Sequence, residues 1–140
     1  MPHIVVSSLS RLAETAEAHG ASHMVTLINR GTPVTRPAGI AADNHLFLGF
    51  NDIVEPIAGM TPPGEGHVRD LIDFTADWDR ASPILIHCFA GISRSTAAAY
   101  ITALALNPAL DETRLARHLR TASPSATAIE RIRPACGAET

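Results

Sequence analysis

Nine consecutive residues, His87-Cys88-Phe89-Ala90-Gly91-Ile92-Ser93-Arg94-Ser95, set a thiol, a guanidinium and a hydroxyl at short fixed intervals. A cysteine attacks as its thiolate. An arginine six positions on offers a planar fork that can grip two oxygens of one oxyanion. Ser95 can donate a hydrogen bond to the sulfur, steadying it as attacker and as leaving group. Gly91 permits backbone angles that a side chain would forbid, so the stretch can curl. The chemistry such a set can do is nucleophilic attack on a bound anion. The thiolate at Cys88 is favoured by the same positive groups that hold that anion.

The flanking residues supply the frame. Pro83-Ile84-Leu85-Ile86 is a short apolar run, and Ser95-Thr96-Ala97-Ala98-Ala99-Tyr100-Ile101-Thr102-Ala103-Leu104 favours helix. The order is therefore strand, tight loop, helix. A loop closing onto a helix start points several backbone N–H groups into one hollow, and the helix dipole adds partial positive charge. Phosphate oxygens fit such a nest. His87 is expected to turn away from the hollow and order the loop through hydrogen bonds.

His-Cys-x-x-Gly-x-x-Arg-Ser resembles the signature loop of the cysteine-dependent protein tyrosine phosphatases, and the short chain is similar to their compact dual-specificity branch. The resemblance implies phosphomonoester hydrolysis through a cysteinyl-phosphate. Cys88 would attack, and Arg94 with the amides of Phe89, Ala90, Gly91, Ile92, Ser93 and Arg94 would hold the phosphate. Ser95 would ease thiolate departure. Such a reaction needs an acid for the leaving oxygen and then a base for water. The family carries that aspartate after a strand, a few tens of residues before the cysteine. Asp52 stands 36 residues ahead of Cys88, after an apolar strand-like run. Asp43 and Glu55 are its rivals. Residues 55–64 are rich in Pro and Gly, as suits a lid. The family also tends to an arginine followed by a Pro-Asn pair near the C-terminal side. Here Arg120 is present, but Thr127-Ala128 stands where the pair is expected, so that segment is assigned no substrate contact.

Further elements follow from pattern. Residues 1–6 read as a first strand. Ser7, Ser8 and Ser10 offer caps for a helix ending at His19, with Gly20 as its stop. His23 to Ile28 reads as a buried strand, residues 29–43 as a loop, and residues 44–50 as a strand. Residues 65–78 place Val68, Leu71, Ile72 and Thr75 on one helical face. Asp111 can cap a helix to about residue 120, and a last helix lies near Glu130. The fold class expected is α/β, a central and largely parallel sheet of about four to five strands flanked by helices. Ligands then bind at the carboxyl ends of strands, where Cys88 falls.

Composition bounds the rest. The 140 residues, 46% hydrophobic, suit one catalytic domain over residues 1–140. A net charge of −3 and 4% aromatics argue against nucleic-acid or membrane-surface partners. No apolar run approaches the ~20 residues of a membrane span, and Met1-Pro2-His3-Ile4-Val5-Val6 lacks the basic start of a signal peptide. Two cysteines make no disulfide scaffold. Cys136 reads as a bystander thiol, and a thiolate nucleophile points to the reducing cytoplasm. Arg30 and Arg36 read as solvated loop charges. The seven histidines read as scattered surface or core residues, and neither metal nor cofactor is implied. The expected substrate is a phosphorylated protein or a small phosphomonoester. The competing readings are a non-catalytic phosphopeptide-binding module and a rhodanese-like sulfur-transfer enzyme.

Overall fold

Short apolar segments alternate with amphipathic ones along the chain, and they fold as alternating strands and helices. The computed structural model describes residues 4–51, 64–111 and 113–114. In chain order these form β1 (Ile4–Ser7), α1 (Leu12–His19), β2 (His23–Ile28), β3 (His45–Gly49), α2 (Glu65–Ala76), β4 (Ile84–His87) and α3 (Arg94–Leu106), with a 3₁₀ turn at Ala42–Asn44 before β3. Asp52, Glu55 and the lid-like stretch through residue 63 lie outside the described residues. So do most of the helix expected over residues 111–120, the one near Glu130, Arg120, Thr127-Ala128 and Cys136.

The four strands form one sheet in the order β1-β4-β2-β3. Every pairing is parallel: Ile4 opposite Ile84, His23 opposite Ile84, and Met24 opposite His45 set the registers. β4 is thus central, with neighbours on both sides, and Ile84, Leu85, Ile86 and His87 are all buried. A doubly covered strand reads as a continuous apolar run, as this one does.

Side-chain alternation splits the core between the two faces. Val25, Leu27, Leu48, Ile84 and Ile86 pack with Leu71, Trp78, Ala97, Tyr100 and Ile101 beneath α2 and α3. Met24 and Leu85 point to the other face and pack with Leu12 and Ala16 of α1, Ala21 and Ile40. Helices on both faces and strands all running one way put every strand's carboxyl end on the same edge. Among the described residues no helix is long and apolar enough to cross a membrane.

Several boundaries shift by a residue or two, with β1 running to Ser7, β3 covering 45–49 and α2 ending at Ala76, and the start of α1 differs in its cap. α1 begins at Leu12, with Arg11 at the cap position and no side-chain cap. The serines are used elsewhere: the Ser7 hydroxyl donates to the Ser8 carbonyl at 2.9 Å, and Ser8 Oγ pairs with Ser10 Oγ at 3.1 Å. The Leu9 N–H donates to the Phe89 carbonyl at 3.0 Å. The chain after β1 is thereby held as a brace against the loop after β4. Gly20 closes α1 at φ 63°, as its left-handed cap position requires.

Candidate active site

β4 ends at His87, and α3 starts at Arg94. The six residues between them must reverse the chain within a few ångströms. Gly91 does so at φ 74°. A Cβ there would lie 2.8–2.9 Å from backbone atoms of Ser7 and Ser8, so both conformation and space demand glycine. Ser93 stands at the cap of α3 without a side-chain hydrogen bond.

The Cys88 sulfur lies within this turn, 2% exposed. Ser95 Oγ is 3.2 Å from it, and the Gly91 N–H donates to it at 3.2 Å. Burial alone raises a thiol's pKa. Here the Ser95 hydroxyl and the N–H groups of Ser95, Gly91 and Ile92 outweigh burial, and the Cys88 pKa falls below its ordinary value. The ionised sulfur is the form that accepts these bonds.

Arg94 is nearly buried, at 9% exposed. One terminal amino group donates to Asn29 Oδ1 at 2.8 Å and to the Phe50 carbonyl at 2.9 Å. Both acceptors come from carboxyl ends of neighbouring strands, β2 and β3. Its Nε is buried and has no hydrogen-bond partner among the described residues. An unmade charged hydrogen bond of this kind costs a few kcal/mol, on the order of 1–3, and an oxyanion in the hollow would supply the missing acceptor.

The rim differs from the floor. Phe89 is 63% exposed and Ile92 38% exposed, so two apolar side chains flank the hollow. Ala90 is exposed as well, and Ser93 is only partly buried. Phe50, whose carbonyl holds Arg94, stacks its ring on His67 at a centroid distance of 4.8 Å. His67 Nδ1 in turn accepts the Gly64 N–H at 3.0 Å. Phe50 and Gly64 are therefore both held against His67, and Asp52 falls in the chain between them. Asp43 sits in the 3₁₀ turn at the amino end of β3, the opposite edge of the sheet from Cys88.

His87 is fully buried, with Nδ1 3.2 Å from the Cys88 carbonyl oxygen and Nε2 2.8 Å from Thr26 Oγ1. Burial pushes its pKa down to about 4, against the pull of the carbonyl contact, and nearby His45 lowers it further. The ring is neutral at neutral pH. Sequence reasoning assigned no role to Asn29, the Phe50 carbonyl, Thr26 or Leu9. The only signal for Asn29 was its place at a strand's carboxyl end, and the others carried none.

The fold, a parallel sheet with helices on both faces, is similar to that of solved dual-specificity phosphatases. No family model and no curated protein matches the chain. Solved structures do. The human DUSP28 structure is similar at TM-score 0.70, covering 100% of this chain and 97% of that one at 16% identity. DUSP15 is similar at TM-score 0.74 over 99% and 86% at 16% identity. The Cydia pomonella PTP-2 phosphatase is similar at TM-score 0.69 over 92% and 83% at 19% identity. At these identities the likeness is one of fold.

Proposed function

We propose that the protein is a phosphomonoester hydrolase, a protein tyrosine or dual-specificity phosphatase acting through a cysteinyl-phosphate, with residues 1–140 as one catalytic domain. The observation that carries this reading is the buried Cys88 sulfur, held by Ser95 and Gly91 on the same loop as a guanidinium whose Nε has no partner among the described residues.

The Cys88 thiolate attacks phosphorus in line. An S–P bond forms and the P–O bond to the leaving group breaks. Asp52 gives its proton to the leaving oxygen. The Asp52 carboxylate then takes a proton from water, whose oxygen attacks phosphorus. The S–P bond breaks, and the thiolate returns to the hydrogen bond of Ser95. Arg94 and the amides from Phe89 to Arg94 hold the equatorial oxygens throughout. Most of the rate gain comes from these preorganised positive groups. Two features support Asp52 over its rivals. Asp43 stands at the wrong edge of the sheet. Asp52 follows Phe50 by two residues, a chain reach of about 7 Å, and the Phe50 carbonyl already touches Arg94.

The exposed Phe89 and Ile92 beside the hollow favour an ester whose leaving group is aromatic, phosphotyrosine foremost. The substrate is then a phosphorylated protein or a small aryl phosphate, and the thiolate's need for reduction supports a cytoplasmic location. The test is hydrolysis of an aryl phosphate by wild type and Cys88→Ser. Wild type is expected to turn over and to accumulate an acid-stable phosphocysteine in a rapid quench. Cys88→Ser is expected to lose at least about 10³-fold in kcat with an unchanged circular dichroism spectrum. An active serine variant, or a wild type that transfers sulfur from thiosulfate and leaves phosphate esters intact, overturns the proposal.

A further inference from the structure

A row of polar side chains crosses the sheet face that α1 covers. It begins at the Cys88 carbonyl, 3.2 Å from His87 Nδ1. His87 Nε2 lies 2.8 Å from Thr26 Oγ1 on β2, and that same hydroxyl oxygen lies 2.7 Å from His45 Nε2 on β3. Thr26 and His87 are fully buried, while His45 at the start of β3 is half-buried. The row thus runs from the loop, through the core, to the protein's surface.

One atom sets the direction of the whole row. A carbonyl oxygen can only accept, so His87 carries its proton on Nδ1. A neutral ring then has a lone pair at Nε2, and the Thr26 hydroxyl must donate to it. That hydroxyl has a single proton. Its oxygen therefore faces His45 as an acceptor, and His45 donates from Nε2. With neutral rings, no other arrangement satisfies all three contacts. An unmet contact would leave a buried polar atom unpaired.

We propose that His45 and Thr26 are positioning residues for the Cys88 loop, acting through His87 along the donor chain His45 to Thr26 to His87 to the Cys88 carbonyl. The chain selects one His87 tautomer. It also fixes the Cys88–Phe89 peptide: a trans peptide points its C=O and N–H in opposite directions, so a carbonyl pinned against His87 turns the Phe89 N–H toward the hollow. Neither residue belongs to the loop, and each reaches the sulfur only through two or more intervening groups. The inference deepens the phosphatase reading and rests on it for the use made of the hollow.

The test is the pH dependence of Cys88 alkylation by iodoacetamide, in the full chain on a Cys136→Ser background. Thr26→Val is isosteric and removes the hydroxyl, whereas Thr26→Ser keeps it and removes a methyl. His45→Leu removes the donor, whereas His45→Gln retains an N–H near the Nε2 position. Thr26→Val and His45→Leu are expected to slow alkylation at pH 6 by about three- to tenfold, as the thiol's apparent pKa rises. Thr26→Ser and His45→Gln are expected to stay within about twofold of the parent. A packing role alone predicts the reverse order for the Thr26 pair, with melting temperature falling in Thr26→Ser and no change in thiol titration; that result overturns the proposal. Should Thr26→Val fail to fold, the half-exposed His45 pair decides by itself. The readout needs no ester turnover. An unchanged titration in active variants removes the relay and leaves the phosphatase reading. A shifted titration in a protein that hydrolyses no aryl phosphate removes that reading and leaves the relay.

Discussion

At the scale of single residues the guanidinium of Arg94 is divided in its duties. One amino group is anchored by Asn29 and the Phe50 carbonyl, and Nε has no partner among the described residues. Asn29→Ala leaves the anchor with one acceptor. It is expected to lower kcat/KM on an aryl phosphate by about tenfold and to weaken vanadate inhibition in parallel, since a charged hydrogen bond is worth about 1.5–3 kcal/mol. Steady-state kinetics with a vanadate titration check both. The Ser95 hydroxyl lies 3.2 Å from the Cys88 sulfur. Ser95→Ala removes one of the donors that lower the Cys88 pKa, so the acid limb of the alkylation profile moves to higher pH. Turnover of the phosphocysteine, seen as a larger burst relative to the steady state, is expected to slow more than its formation.

At the scale of elements, the connection from β1 to α1 acts as a wall for the loop. Gly91 presses on Ser7 and Ser8, and Leu9 ties the wall to Phe89. Gly91→Ala combines a strained positive φ with a sub-van-der-Waals approach to backbone. It is expected to cost about 1–3 kcal/mol of stability and to abolish phosphate protection, as thermal melts with and without phosphate would show. The strand–loop–helix unit around Cys88 was legible because its signals are local: an apolar run, a glycine, an alanine-rich helix. β2 was legible for the same reason. The start of α1 was not, since the serines that look like caps spend their hydroxyls on each other and on the wall. Asn29 was illegible because its partner Arg94 is 65 positions away. Thr26 sits in an apolar strand, and its partner His87 is 61 positions away. No periodicity reports such pairings, which exist only once the sheet has formed.

At the scale of the molecule, buried histidines set an acid limit. The folded His87 pKa, about 4, lies below its ordinary value of 6.5. The unfolded chain therefore binds the extra proton first, and His87 contributes stability that is full above pH 6.5 and is lost as pH falls towards 4. The loss is expected to reach about 3 kcal/mol between pH 7 and pH 4. His45, also lowered by burial and by Arg36, adds in the same direction. Urea denaturation across this range measures it, and His87→Gln should flatten the slope. A bound anion works the other way: at a hundred times its Kd, phosphate is expected to add about 2.7 kcal/mol, or about 10 °C in Tm for a chain of this size.

The order β1-β4-β2-β3 makes the last of the described strands an interior one. The strand that carries Cys88 can dock only when its neighbours on both sides have been synthesised and have left a gap for it, and pairing over such separations is slow. Until it docks, the cysteine is an ordinary thiol on an open chain, only a few per cent ionised at neutral pH. The lowered pKa of Cys88 is thus a late product of folding, since the amide and hydroxyl groups that hold its sulfur converge only once the loop has closed.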